Sequence, residues 1–294
     1  MITAIHTFPD ETGPASRLAK AVDVPLAAID LHRFPDGEGL PRVAPADGVV
    51  AIYRSLWSPD DKILPLLLAA DALRRRGARR IVLVAPYLCY LRQDVVFQPG
   101  EPLSRDVVGR LLGERFEAVV TVEPHLHRTL DLSAVLAGAQ VEVVSAADAL
   151  GRALTPVDPA TLVVGPDAEA TPWAAALAQI LGVDSIALTK IRRGDRDVSL
   201  TVCDPARVAG RPVILLDDIC SSGATLERAI ETLRALGAAA IDLAIVHALF
   251  DDATQARLIA TGARRIVSTD CRPNPTTVAF MAADLADALK RISP

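Results

Sequence analysis

Aromatic side chains make up only 4 % of the 294 residues, cysteine occurs four times, and lysine only at Lys20, Lys62, Lys190 and Lys290. With so few rings, the core must be filled by Ala, Val, Ile and Leu, and an aromatic-lined binding surface is not expected. The cysteines (Cys89, Cys203, Cys220, Cys271) lie far apart and form no CxxC pair. That argues against a disulfide framework or a zinc site and for a reducing compartment. No apolar run approaches the length needed to span a bilayer, and MITAIHTFPDETG has no basic-then-apolar signal pattern. The expectation is a soluble cytoplasmic chain with no membrane partner. Positive charge is not in excess either: the net charge is −5, which speaks against nucleic acid, a ligand that demands a basic face. Small phosphorylated ligands need only a few local cations and stay open.

What the chain has instead is a regular alternation. β-Branched runs at 49–53, 80–85, 118–122, 141–144, 161–165, 213–217, 241–246 and 265–268 read as strands. Segments such as ILPLLLAADALRRRG and ATLERAIETLRALGA, with apolar residues at helical spacing, lie between them. Such alternation predicts an α/β fold with mostly parallel sheets covered on both faces by helices. The length favours two domains, and the proline-rich stretch at 155–159 separates two sets of strands. The expected domains are 1–148 and 149–294, with the boundary falling in 148–158. The segment TTVAFMAADLADALKR reads as a last helix able to pack on either half, and no sequence repeat relates the halves.

In open parallel sheets ligands bind beyond the carboxyl ends of the strands, so the residues just after each strand carry the functional signal. The richest such segment is VILLDDICSSGATLERAI at 213–230. An apolar strand ends in Asp217 and Asp218, and a turn of small residues then opens a helix. Backbone N–H groups around Ser221, Ser222, Gly223 and Thr225, with the positive helix end, would form a phosphate cradle. The two acids are suited to accept hydrogen bonds from a sugar diol. The plain alternative is a helix capped by Ser222 with no ligand at all. The GxxxxGK[ST] pattern is absent, so a Walker-type loop is excluded here.

This segment resembles the loop that binds 5-phosphoribosyl 1-diphosphate (PRPP) in type I phosphoribosyltransferases and in ribose-phosphate pyrophosphokinases. Other segments favour the second family. PYLCYLRQDVVFQPGEPLS at 86–104 is similar to its PY…YARQD…GEP stretch. The resemblance implies that Arg92, Gln93 and Asp94 belong to an ATP site, Arg92 on the phosphates and Gln93 on the nucleoside. A guanidinium forks well onto phosphate oxygens, although an Arg–Asp pair alone would be an ordinary surface contact. RFPDGEGLPRV at 33–43 matches the family's F-x-D-G-E. It implies that Phe34, Asp36 and Glu38 form the adenine side of that site, near a subunit interface; by itself Pro-Asp-Gly-Glu is simply a good turn.

VTVEPHLHR at 120–128 aligns His125 with a histidine that helps hold magnesium–ATP. Glu123, His125 and His127 would share one face of an extended segment, and for His127 the plain reading as a loop residue is preferred. Glu123 and Pro124 depart from the usual Asp-Leu. In VVGPDAEATPW at 163–173, Asp167 matches the family's PDxGG acid, a candidate magnesium ligand or ribose-side residue. Glu169-Ala170 stands where many members have Gly-Gly, so close backbone approach should be restricted there. Lys190 and Arg192 match a K-x-R catalytic loop, and both cations would reach the diphosphate during transfer.

The resemblance thus implies two tandem phosphoribosyltransferase-like domains, ATP on the first and ribose 5-phosphate on the second. It also implies a Mg2+-dependent ribose-phosphate diphosphokinase serving nucleotide biosynthesis, in a homodimer or larger homo-oligomer. Two alternatives remain at this point. One is a phosphoribosyltransferase that consumes PRPP; the other is a catalytically silent regulatory subunit, which Ser221 and the Glu169-Ala170 turn keep open.

Overall fold

The computed structural model describes residues 1–126, 131–192, 198–201 and 204–292. The chain divides into two compact units, Met1–Ser145 with the segment from Met281 onward, and Ala146–Phe280. Each has its own apolar core.

The first unit runs β1 (Ile2–Thr7), α1 (Thr12–Val22), β2 (Leu26–Ala28), β3 (Asp30–Arg33), β4 (Gly39–Arg42), β5 (Gly48–Tyr53), α2 (Asp60–Arg75) and β6 (Ala78–Val84). It continues with α3 (Ser104–Gly113), β7 (Ala118–Val122), α4 (Leu132–Val135) and β8 (Gln140–Val144). Its main sheet has the order β2-β1-β5-β6-β7-β8, every pair parallel. The central strands are buried on both faces, which is why their sequences are continuous apolar runs rather than alternations. Strands β3 and β4 form a separate antiparallel hairpin.

The second unit runs α5 (Ala147–Leu154), β9 (Leu162–Gly165), α6 (Thr171–Leu181), β10 (Asp184–Ala187), β11 (Thr189–Arg192), β12 (Val198–Thr201) and β13 (Pro212–Cys220). After these come α7 (Ala224–Ala235), β14 (Ala240–Ala248), α8 (Asp252–Thr261), β15 (Arg265–Thr269) and β16 (Thr277–Ala279). The sheet order is β10-β9-β13-β14-β15-β16, again all parallel. An antiparallel hairpin, β11–β12, is inserted at the corresponding place. Strand order and insert therefore repeat from one unit to the other. In each sheet the order reverses once, between β1 and β5 and between β9 and β13, and that reversal opens a crevice at the carboxyl ends of the strands.

Two expectations are corrected, and one strand is added. The division falls after Ser145, and α9 (Ala282–Ile292) belongs to the first unit rather than to 149–294. It packs on α1, β7 and β8, and Arg291 Nε sits 2.9 Å from Glu142 Oε2. The segment expected as one last helix is split, because Thr277–Ala279 pairs with β15 as an edge strand before α9 begins. The strand β1 was not anticipated, because ITAIHT mixes polar with apolar residues. It is nonetheless central, flanked by β2 and β5. Among the described residues no helix is long and apolar enough to cross a membrane.

Candidate active site

At the second unit's crevice, β13 runs three residues further than the sequence implies, because β14 is equally long and pairs with it to Cys220 and Ala248. Asp217 and Asp218 therefore lie within the strand, on opposite faces, rather than opening the turn. Asp218 is buried, and one carboxylate oxygen accepts from the amide of Ile219 at 2.8 Å. Burial pushes the Asp217 carboxyl well above its ordinary range, and the charges of Asp218 and Asp167 push it further. The crevice thus brings Asp217 within reach of the charges of Asp218, on the same strand, and Asp167, at the neighbouring strand end. Carboxylate oxygens are hard donors that suit a divalent cation such as Mg2+. Among the described residues no three His, Cys, Asp or Glu converge as a metal cluster. Mg2+ ordinarily takes one or two carboxylates and completes its coordination with water and a ligand's phosphates.

The turn that follows is open. Ser221, Ser222 and Thr225 are exposed, and Gly223 between them is buried. Helix α7 is not capped by Ser222: its N-cap is Gly223, and no side chain caps the helix. That overturns the plain reading of the serine and leaves the first N–H groups of α7 directed at the crevice. Gly223 is required there. Its φ of 81° lies in the left-handed region, and a Cβ would come 2.8 Å from Thr254 Cγ2.

The turn is held from behind by residues that the sequence did not single out. Arg257 on α8 donates to Ser222 O at 2.9 Å, to Thr254 Oγ1 at 3.1 Å and to Glu227 Oε1 at 3.0 Å. Nothing local marks Arg257, which lies 35 residues beyond Ser222 in sequence.

At the neighbouring strand end, Asp167 caps the short turn Ala168–Ala170, its Oδ1 accepting from Glu169 N at 3.1 Å. Glu169 is exposed, and the methyl of Ala170 turns inward onto Gly165, where a Cβ would approach it to 2.8 Å. Lys190 and Arg192 lie on β11 rather than in a loop, paired with Leu200 and Val198 of β12. Strand β12 runs alongside α7. The side chains of Lys190 and Arg192 lie outside the described part of the structure.

In the first unit, Phe34, Asp36 and Glu38 sit exposed at the tip of the β3–β4 hairpin. The tip is the turn its sequence predicts: Phe34 N donates to Glu38 O at 2.9 Å and Glu38 N to Asp36 Oδ1 at 3.1 Å. The Phe34 ring meets His32 edge-on at 4.5 Å. Arg92 and Gln93 are exposed on the segment after β6, with Asp94 partly buried. The ordinary Arg92–Asp94 ion pair is absent, and among the described residues Arg92 makes no hydrogen bond or ion pair. His125 is half-buried after β7, and His127 lies outside the described residues.

The first unit's crevice, between β1 and β5, holds a cluster that the sequence reading did not anticipate. Lys62 Nζ lies 2.9 Å from Glu11 Oε1, and Arg54 Nη1 lies 2.5 Å from Asp10 Oδ1. Lys62, Glu11 and Arg54 are all buried. The scarcity of lysine is a signal in the sequence that bears on Lys62.

Two like sheets with switch-point crevices, one ending in acids and an uncapped helix, define a protein of phosphoribosyltransferase type built as two such halves. Two family models match the chain: the N-terminal domain of ribose phosphate pyrophosphokinase over residues 5–115, and the phosphoribosyl transferase domain over 156–280. The ribose-phosphate pyrophosphokinase of Methanopyrus kandleri is 36 % identical over 281 residues, 94 % of this chain and 95 % of that protein. That of Thermococcus kodakarensis is 34 % identical over 86 % of this chain and 88 % of its own. The crystal structure of phosphoribosylpyrophosphate synthetase from Mycobacterium smegmatis superposes with a TM-score of 0.82 at 25 % identity, covering 99 % of each chain. The chain belongs to the ribose-phosphate pyrophosphokinase family.

Proposed function

We propose that this chain transfers the diphosphate of ATP to the anomeric hydroxyl of ribose 5-phosphate, giving PRPP and AMP. The observation that carries the reading is the uncapped start of α7 beside Asp217 and Asp218, in a chain matched nearly end to end by ribose-phosphate pyrophosphokinases. The 5-phosphate rests on the N–H groups and hydroxyls of Ser221, Ser222, Gly223 and Thr225. Asp217 and Asp218 accept hydrogen bonds from the ribose hydroxyls. Phe34, Asp36 and Glu38 receive the adenine, while Arg92, Gln93 and Asp94 hold the rest of the nucleotide. Asp167 and, by resemblance, His125 would hold Mg2+, which supplies neutralisation of phosphate charge when bound.

The anomeric oxygen forms a bond to the β-phosphorus, its proton leaves, and the bond from that phosphorus to the α,β-bridging oxygen breaks, releasing AMP. The protein's part is positioning and charge stabilisation. Lys190 and Arg192 stabilise the charge that develops on the diphosphate. Lys190→Ala is expected to lower turnover by roughly 10²–10³, the scale of one lost transition-state donor, with ribose 5-phosphate affinity nearly unchanged. Steady-state kinetics check this, and unchanged turnover would remove Lys190 from the mechanism. In this reading the chain acts in the cytoplasm, in a homodimer or larger homo-oligomer with the ATP site near a subunit interface, as its resemblance to the family implies.

The test of the reading is the purified chain with Mg2+, ATP and ribose 5-phosphate, with nucleotide products resolved. AMP formed one-for-one with PRPP supports it. ADP indicates an ordinary kinase. Absence of product indicates a silent partner, against which the retention of Lys190 and Arg192 speaks. A phosphoribosyltransferase that consumes PRPP has no use for the N-terminal domain matched over residues 5–115.

A further inference from the structure

We propose that Glu11, Lys62, Ser55 and the Tyr90–Asp60 hydrogen bond form a positioning frame that holds the 87–94 segment, and with it Arg92 and Gln93, in register for the nucleotide. What those two residues bind rests on the function proposed above. The frame itself is a chain of direct contacts within the first unit.

Ser55, just past β5, is gripped on both sides of its main chain by one buried ion pair. Its N–H donates to Glu11 Oε1 and Oε2, each at 3.2 Å, and its carbonyl accepts from Lys62 Nζ at 2.7 Å. Lys62 also donates to Glu11 at 2.9 Å and lies 3.8 Å from the centroid of the Trp57 ring. From Ser55 the constraint passes to the next strand end through two reciprocal bonds. Tyr87 N donates to Ser55 Oγ at 3.1 Å, and Leu56 N donates to Tyr87 O at 2.8 Å.

Three residues on, Tyr90 is held at a φ of 61°, a left-handed conformation that Cβ-bearing residues seldom adopt. Its hydroxyl is fastened to Asp60 Oδ1 at 2.5 Å, at the start of α2. Gln93 N closes the turn on Tyr90 O at 3.1 Å, and Arg105 N donates to Gln93 O at 3.3 Å. Arg92 and Gln93 therefore project from a segment tied at Tyr87, Tyr90 and Gln93.

Stability alone does not account for this frame. Burial pushes the Glu11 carboxyl up and the Lys62 ammonium down, each towards its neutral form, although each attracts the other's charge. A buried ion pair is a poor stabiliser compared with apolar packing, but it does fix directions. A left-handed tyrosine is likewise a conformation that surrounding contacts must impose, and such residues gather where geometry serves function.

The test is equilibrium titration of the full chain with Mg-ATP, which requires no turnover. Two mild variants are used: Tyr90→Phe, which removes one exposed hydroxyl, and Ser55→Ala, which removes the acceptor of the Tyr87 amide. Each is expected to raise the Kd for ATP roughly tenfold, the scale of losing one charge-assisted or buried hydrogen bond. The Kd for ribose 5-phosphate should stay within about twofold. Asp60→Asn, which keeps an acceptor for Tyr90, should retain most of the wild-type affinity, whereas Asp60→Ala should match Tyr90→Phe. Unchanged ATP affinity in both variants overturns the proposal, as does a parallel loss of affinity for both ligands, which marks a general loosening of the fold. A wild-type chain that binds ATP but makes no PRPP overturns the reaction alone and leaves the frame to be judged on the affinity ratio. A wild-type chain that binds no ATP overturns both.

Discussion

At the end of the first strand, the two halves build the same turn and put different atoms inside it. After β1 comes the short turn Pro9–Glu11 and then α1; after β9 come Ala168–Ala170 and α6. Thr12 Oγ1 donates back to Pro9 O at 3.0 Å, and Thr171 Oγ1 donates to Ala168 O at 2.7 Å. The last residue of each turn is buried, and it is Glu11 in one half and Ala170 in the other. Across the crevice the contrast continues. The first half answers Glu11 with Lys62 and Arg54, whereas the second sets Asp217 beside two further carboxylates, Asp218 and Asp167, whose charges push its carboxyl up. One crevice is thus filled by the protein's own ion pair. The other brings carboxylates together beside a helix that no side chain caps, and so has something to offer a ligand. A fold repeated in tandem need not repeat its site.

The two sides of that contrast should respond differently to substitution. The largest effect is expected from Lys62→Ala, which leaves Glu11 buried without its ammonium. Breaking a buried pair on one side costs about 3–5 kcal/mol, to be read from denaturant unfolding of the first half's transition. Adding Glu11→Leu should recover part of that loss, because the stranded charge is gone. Gly223→Ala comes next. The left-handed backbone and the contact with Thr254 together should cost roughly 1–3 kcal/mol and weaken ribose 5-phosphate binding by at least about tenfold, with ATP affinity little changed.

The smallest effect has the opposite sign. Asp217 has a folded pKa above its ordinary value of 3.8. The unfolded chain therefore ionises this carboxyl first as pH rises. Native stability therefore falls as pH rises from about that value up through the raised one. Asp217→Asn should raise the melting temperature at pH 7 and converge with wild type in acid, while abolishing turnover. A variant less stable than wild type at pH 7 would show that the acid pair is compensated after all.

The legible parts of this protein are those written in consecutive residues. Central strands such as β6 and β7 are buried on both faces and so appear as unbroken apolar runs. The acids and small residues of 217–225 are adjacent in sequence and could be read as a site directly. What the sequence hid depends on contacts across the chain. Arg257 reaches the cradle from α8, and Lys62 meets Glu11 across 51 positions. The likeness of the halves was also hidden, because it resides in strand order and in turns such as those of Thr12 and Thr171, not in matching residues. The edge strand β16 was read as helix because a three-residue strand gives too short a pattern to set against the helical run that follows it. The extent of β13 beyond Asp217 is fixed by the length of its neighbour β14, which no reading of β13 alone contains.

The most direct test of the chemistry follows one atom. With ATP labelled at the β-phosphorus, ribose 5-phosphate and Mg2+, the label is predicted to appear in PRPP, with unlabelled AMP formed in equal amount. Label retained in ADP, or left in unreacted ATP at full occupancy of both substrates, would contradict diphosphate transfer by this chain.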